Sequence, residues 1–161
     1  MRPYLFAPIL MLLLAGCSQP VLTIKSLIGP ATVLDGDTIQ IGKRQLQLYG
    51  IKSPNADEQG FAEARDALKA VVGNETVFCF IRDPKSEAGA FCELKSPTGT
   101  NDIVEPLLAQ GLAKVDRRFA GVWARRLTGY ETLEAEARAN CKGLWETLPE
   151  CREAATRPSG S

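Results

Sequence analysis

The dipeptide Asp35-Gly36 sits between two stretches of alternating apolar and polar residues, and this turn limits the fold more than any other feature of the chain. Asp-Gly in that setting signals a β-hairpin, because both residues tolerate turn backbone that strains most others. Gly29 to Leu34 reads as the entering strand and Thr38 to Ile41 as the returning one. Gly42-Lys43 makes a second turn, and Leu46 with Leu48 carries the alternation into a third strand. Three short strands joined by tight turns form a meander, so the chain commits early to a sheet.

Beyond the meander the period changes. Phe61, Ala64, Leu68, Val71 and Val72 recur at helical spacing, and Gly73 follows as a left-handed cap. Thr76 to Arg82 and Gly89 to Leu94 predict two more strands, broken by Asp83-Pro84. Ile103 to Gln110 predicts a second helix ended by Gly111, with Pro106 confined to its first turn. Tyr130 to Cys141 predicts a third, in which Glu134 and Arg138 are placed to pair at i,i+4. No repeat or second domain is visible. Residues 148–161 are small and polar and read as a loose C-terminal tail.

The N-terminus adds a compartment. Arg2 precedes an apolar run from Tyr4 to Leu14, which is shorter than the ~20 residues a membrane span needs. The run ends in Leu14-Ala15-Gly16-Cys17, small residues leading to a thiol, as in a bacterial lipoprotein signal. Residues 1–16 are therefore expected to be a signal peptide, Cys17 the site of lipidation (palmitate among the acyl groups), and residues 17–28 a lipidated N-terminus and tether. Ser18 supplies no acidic retention signal, so the expected location is the cell envelope, anchored at the periplasmic face of the outer membrane.

Cleavage there leaves eighteen basic residues against nineteen acidic ones, a formal −1 that gives no footprint for unspecific nucleic-acid binding. The chain has no histidine, which excludes imidazole general acid-base catalysis, histidine-ligated zinc and serine-histidine triads. Cys79, Cys92, Cys141 and Cys151 remain, an even number without a tight Cys-x-x-Cys knuckle, and in an exported domain this argues for disulfides. Three pairings are possible. Cys79 with Cys92 and Cys141 with Cys151 are favoured because each closes a short loop, for about 2–4 kcal/mol apiece.

The Asp35-Gly36-Asp37-Thr38 turn, the run from Leu46 to Asn55, the Gln59-Gly60-Phe61-Ala62 helix start, the stretch Gln110 to Val115 and the closing Lys142-Gly143-Leu144-Trp145 together resemble the staphylococcal nuclease (thermonuclease-like, SNase) family. The resemblance implies an α+β fold, mainly β: a five-stranded OB-fold barrel with three helices over residues 29–147. It also implies calcium-dependent phosphodiester hydrolysis, with two aspartates and a backbone carbonyl on the ion, a glutamate activating water and two arginines on the phosphate.

At the matching positions this chain departs from that pattern. Asp37 stands at the first calcium aspartate and Ser53 at the carbonyl, but Lys52 replaces the second aspartate. An ammonium there opposes a divalent ion by about 8 kcal/mol, at roughly 4 kcal/mol per unit-charge pair 4 Å apart in an effective dielectric of 20. Asn55 stands where the glutamate would be, Gln47 replaces the first arginine, and Glu87 falls at the second. Asp57 and Glu58 follow closely, in place to serve the approach to the first helix. Losing a single transition-state donor costs about a hundred- to a thousandfold in rate. The expectation is a pseudoenzyme with no cofactor, acting as a binding or interaction module; the alternative is a calcium-dependent nuclease of weak or rewired activity. Lys52 is expected either to reach Asp37 as an internal counter-ion or to point to solvent.

Lys114, Arg117, Arg118, Arg125 and Arg126 lie near one acid, Asp116, with Phe119 and Trp123 interleaved, a local +4. Lys114, Arg117, Arg118 and Phe119 are the candidate ligand-binding residues. Their expected partners, beyond the membrane reached through the anchor, are an envelope protein or an anionic polymer, with nucleic acid only under the alternative.

Overall fold

The computed structural model describes residues 24–81, 89–97, 99–118 and 124–156. Cys17, Glu87, Phe119, Trp123 and the break at Asp83-Pro84 lie outside them. The described residues form a mixed α+β structure with eight strands and four α-helices.

The meander forms as the turns dictate. Strands β1 (Lys25–Val33), β2 (Thr38–Ile41) and β3 (Arg44–Gln47) are antiparallel, with Ala31 opposite Ile41 and Ile39 opposite Leu46. The β1–β2 connection is longer than a two-residue Asp-Gly hairpin: Leu34 to Asp37 all lie in it, and the Leu34 amide donates to the Thr38 carbonyl at 2.9 Å. Gly36 is needed there for closeness rather than for backbone freedom, since a Cβ would stand 2.6 Å from that of Ala64 and 2.7 Å from that of Ser53.

β1 also pairs with β5 (Thr76–Ile81) over its first six residues, then transfers to β2 after Pro30, which has no N–H to give to a ladder. β6 (Ala90–Ser96) and β7 (Gly99–Asp102) complete a six-stranded sheet of order β3-β2-β1-β5-β6-β7. Three strands were not anticipated: β7, and β4 (Ile51–Lys52) with β8 (Lys114–Val115), which form a separate ribbon. Leu48 makes a parallel bridge to Ala90, and the Tyr49 amide donates to the Ala90 carbonyl at 2.9 Å, joining the end of the meander to β6.

α1 (Phe61–Val72) buries Ala64, Leu68 and Val72 at four-residue spacing and ends at Gly73. α2 (Glu105–Ala109) is shorter than expected and carries Pro106 in its first turn. α3 (Ala124–Ala139) starts six residues before the expected Tyr130 and turns Leu127, Tyr130, Leu133 and Ala137 inward. The expected Glu134–Arg138 pair does not form. Glu134 instead accepts from the Val115 amide at 2.8 Å and faces Arg117 at 3.2 Å, while Arg138 lies 3.7 Å from Glu150.

The C-terminal segment differs from expectation. Residues Pro149–Thr156 form α4 rather than a loose tail, raising the helix count from three to four. The Cys141–Cys151 disulfide ties α4 to the end of α3 and supplies the constraint that small polar residues lack. The second disulfide, Cys79–Cys92, joins directly opposed residues of β5 and β6 in the fully buried core. Both pairings are the favoured ones.

Gly111 and Gly143 hold the last turn against the end of α2. Both have positive φ (71° and 52°), a Cβ on Gly111 would collide with the Lys142 carbonyl, and one on Gly143 would stand 2.7 Å from the Gln110 and Gly111 carbonyls. Leu144 then donates its amide to the Gly111 carbonyl at 2.9 Å. Only glycine allows main chain to approach main chain this closely.

Candidate functional site

Asp37 is placed by the β1–β2 turn, where its amide donates to Asp35 Oδ1 at 3.0 Å. Its side chain is nearly buried, and both carboxylate oxygens are engaged: Oδ2 accepts from the Ser53 amide at 2.8 Å, and Oδ1 from the Thr38 hydroxyl at 3.0 Å. Burial raises the pKa of this carboxyl above the ordinary range; the Ser53 amide opposes the rise and the nearby Asp35 reinforces it. The arrangement therefore stores like charge, Asp35 beside Asp37, in a poorly solvated turn.

Ser53 and Lys52 are adjacent and diverge. Alternation along β4 buries Ile51, exposes Lys52 and buries Ser53 against Asp37. Among the described residues Lys52 makes no ion pair with Asp37, and its field acts instead on Asp116. Of the two expectations for Lys52, the internal counter-ion is not the one adopted.

Asn55 and Glu58 form a reciprocal turn before α1. The Asn55 amide and side chain donate to Glu58 Oε2 at 2.7 and 3.1 Å, and the Glu58 amide returns a bond to the Asn55 carbonyl at 2.9 Å. Glu58 is thereby committed to the helix approach. Gln47 ends β3, exposed and opposite Thr38.

Calcium takes about six to eight oxygen ligands. Asp37, the Ser53 carbonyl and Asp35 are the oxygens the turn offers, two of the carboxylate oxygens already accept amides, and an ammonium-bearing residue holds the second aspartate's place. This donor set does not fit the ion that the resemblance implies.

The basic segment is only partly available. Asp116 is held by Arg118 through a forked contact, 3.0 Å from Nε and 2.5 Å from Nη2, and this contact keeps its carboxyl below the usual range. Arg117 bridges Glu131 at 2.8 Å and Glu134 at 3.2 Å; the hydrogen bond to Glu131 is the main cause of its raised pKa. Lys114 extends its ammonium over the Trp145 ring, 5.4 Å from the centroid.

Sequence reasoning missed two features. A cavity of about 890 Å³ opens where the β4–β8 ribbon meets the start of α1 and the Gly143–Trp145 turn; Lys52, Lys114, Glu63 and Glu146 line it, and Asp37 and Gln47 do not. Its residues come from four separate elements, so no local motif announces it. The other is a buried cluster where α2 and α3 meet. Asp102, its side chain 1% exposed, accepts from the Tyr130 hydroxyl at 2.5 Å and the Val104 amide at 2.9 Å, with Arg126 at 3.6 Å. Burial lifts the Asp102 carboxyl to about 6 and raises the Tyr130 phenol as well. A lone aspartate before a helix reads as a cap, but the N-cap of α2 is Val104, without a side-chain cap bond; Asp102 accepts the Val104 amide, and its second partner lies 28 residues away.

No protein-family model matches this chain, and no curated protein matches it.

Proposed function

We propose that this chain is an envelope-anchored lipoprotein whose SNase-like OB-fold domain does not hydrolyse phosphodiesters and serves as a binding module. The engagement of Asp37 carries this reading. Its two oxygens hold the Ser53 amide and the Thr38 hydroxyl, so the carboxylate fastens β4 to the β1–β2 turn, the work a metal ion would otherwise share. Asn55 has no carboxylate to accept a proton from water, and its amide is bound to Glu58. The Leu48–Ala90 bridge, which brings the meander's end to β6, supports closure of the sheet toward a barrel.

Cleavage of single- and double-stranded DNA and of RNA by the purified protein, with calcium and with a chelator, tests this. The expected result is no cleavage above the chelated control, and calcium-dependent digestion would overturn it. Metabolic labelling with palmitate, in the native chain and in Cys17→Ser, tests the anchor: label should be present in the first and lost in the second.

One observation favours the alternative of a weak calcium-dependent nuclease. Asp35 and Asp37 repel one another, and a cation held between them would relieve the repulsion. Stoichiometric calcium uptake abolished by both Asp35→Asn and Asp37→Asn would support it.

A further inference from the structure

The cavity beside the β4–β8 ribbon has an unusual distribution of charge. Lys52 and Lys114 are direct cross-strand partners, so both project from the same face of the ribbon. Like charges in that register repel; Lys114 lays its ammonium over the Trp145 ring, and the Asp116 carboxylate, which also lines the cavity, lies in the field of Lys52. The same cavity is lined by Glu63 from the first turn of α1, Glu146 from the C-terminal turn, Glu58, and the Asp116–Arg118 pair. Among the described residues no ion pair joins Lys52, Lys114, Glu63 or Glu146 to any other residue. The cavity measures about 890 Å³, inside the range of roughly 300–1,000 Å³ typical of ligand sites, and Leu112, Val115 and Leu144 add apolar lining.

This is a cleft whose lining carries lysines and glutamates that do not pair with one another, beside apolar residues. A purely anionic ligand meets the glutamates and a purely cationic one meets the lysines, so each loses at one set of side chains what it gains at the other. A chain carrying both charges satisfies both sets.

We propose that this cleft binds a short peptide segment bearing both an ammonium and a carboxylate group. The proposal rests on the reading of the domain as a binding module, and it gives that module a site and a ligand class. Strand pairing holds the backbone of Lys52 and Lys114, and α1 that of Glu63.

Calorimetry of the full-length protein in neutral detergent tests it, with the tetrapeptide Lys-Glu-Lys-Glu as probe and tetraglutamate, tetralysine and an oligonucleotide as comparators. The mixed peptide should bind at least tenfold more tightly than any comparator. Lys52→Glu and Glu63→Lys, both on exposed side chains, should each weaken it at least tenfold with the circular dichroism unchanged. Equal binding of tetraglutamate, tighter binding of the oligonucleotide, or indifference to both substitutions would overturn the proposal. The nuclease assay is read separately: calcium-dependent cleavage defeats the inert-module reading, whereas absent peptide binding in a protein that does not cleave defeats only the ligand assignment.

Discussion

Of the three aspartates buried among the described residues, Asp116 is held by Arg118, and the other two, Asp37 and Asp102, are held in different ways. Asp37 belongs to a turn, and its partners are a neighbouring hydroxyl and one backbone amide across from it. Asp102 belongs to the packing: a phenol from the middle of α3, an amide at the start of α2 and a guanidinium converge on it. Burial raises both pKa values, so burial alone says nothing of function. What separates them is the reach of their partners. Asp102 ties elements far apart in the chain and is a structural joint, while Asp37 closes one loop onto the end of β4.

Breaking the joint should have the largest effect. Tyr130→Ala removes a fully buried ring and strands the Asp102 carboxylate, and a loss of about 3–5 kcal/mol is expected by urea denaturation. A loss below about 1 kcal/mol would remove the distinction between the two sites.

The pH dependence of stability comes next. The folded Asp102 carboxyl, at about 6, lies above its unfolded value of 3.8, so between those limits the folded state holds a proton that the unfolded state has released. Stability contributed by this group is present at low pH and lost as pH rises to about 6, on the order of 3 kcal/mol. Denaturation midpoints measured from pH 4 to pH 7 should carry this downward contribution, and Asp102→Asn should remove it. Asp37 adds in the same direction.

Asp37→Asn tests the weaker arm. The amide oxygen can still accept from Ser53, so a change of about 1 kcal/mol or less is expected in chemical denaturation, much smaller than for Tyr130→Ala. Lys52→Ala should do least, within about 0.5 kcal/mol, because the residue is exposed and unpaired with Asp37. A clear fall in melting temperature in that variant would restore Lys52 as the turn's counter-ion.

The same contrast governs what could be read from sequence. The bounds of α1 and of β2 follow from period and caps, since Leu68 and Ile39 each repeat at the spacing their element requires and Gly73 closes the helix. Both disulfides follow from loop length. β4 and β8 do not, because two residues are too few for any period to register, although one of them carries Lys52 and the other Lys114. The first turn of α3 is rich in arginine and gives no apolar signal, and α4 exists in a small, polar segment that Cys151 pins from outside. The family resemblance singles out Asp37 and Ser53 together. Their mutual hydrogen bond, Asn55's service to Glu58 and Lys52's outward course were not legible, because each depends on which face of a short strand or turn points inward.

The two disulfides occupy opposite solvent regimes. Cys79 and Cys92 have no accessible surface, whereas Cys141 sits at the partly exposed end of α3 with positive φ. A small reductant therefore has access at Cys141, though its partner Cys151 is buried, but must wait for β5 and β6 to part before it meets the other bridge. The chain thus carries an internal clock, in which the delay between first and second thiol release reports how seldom the sheet opens.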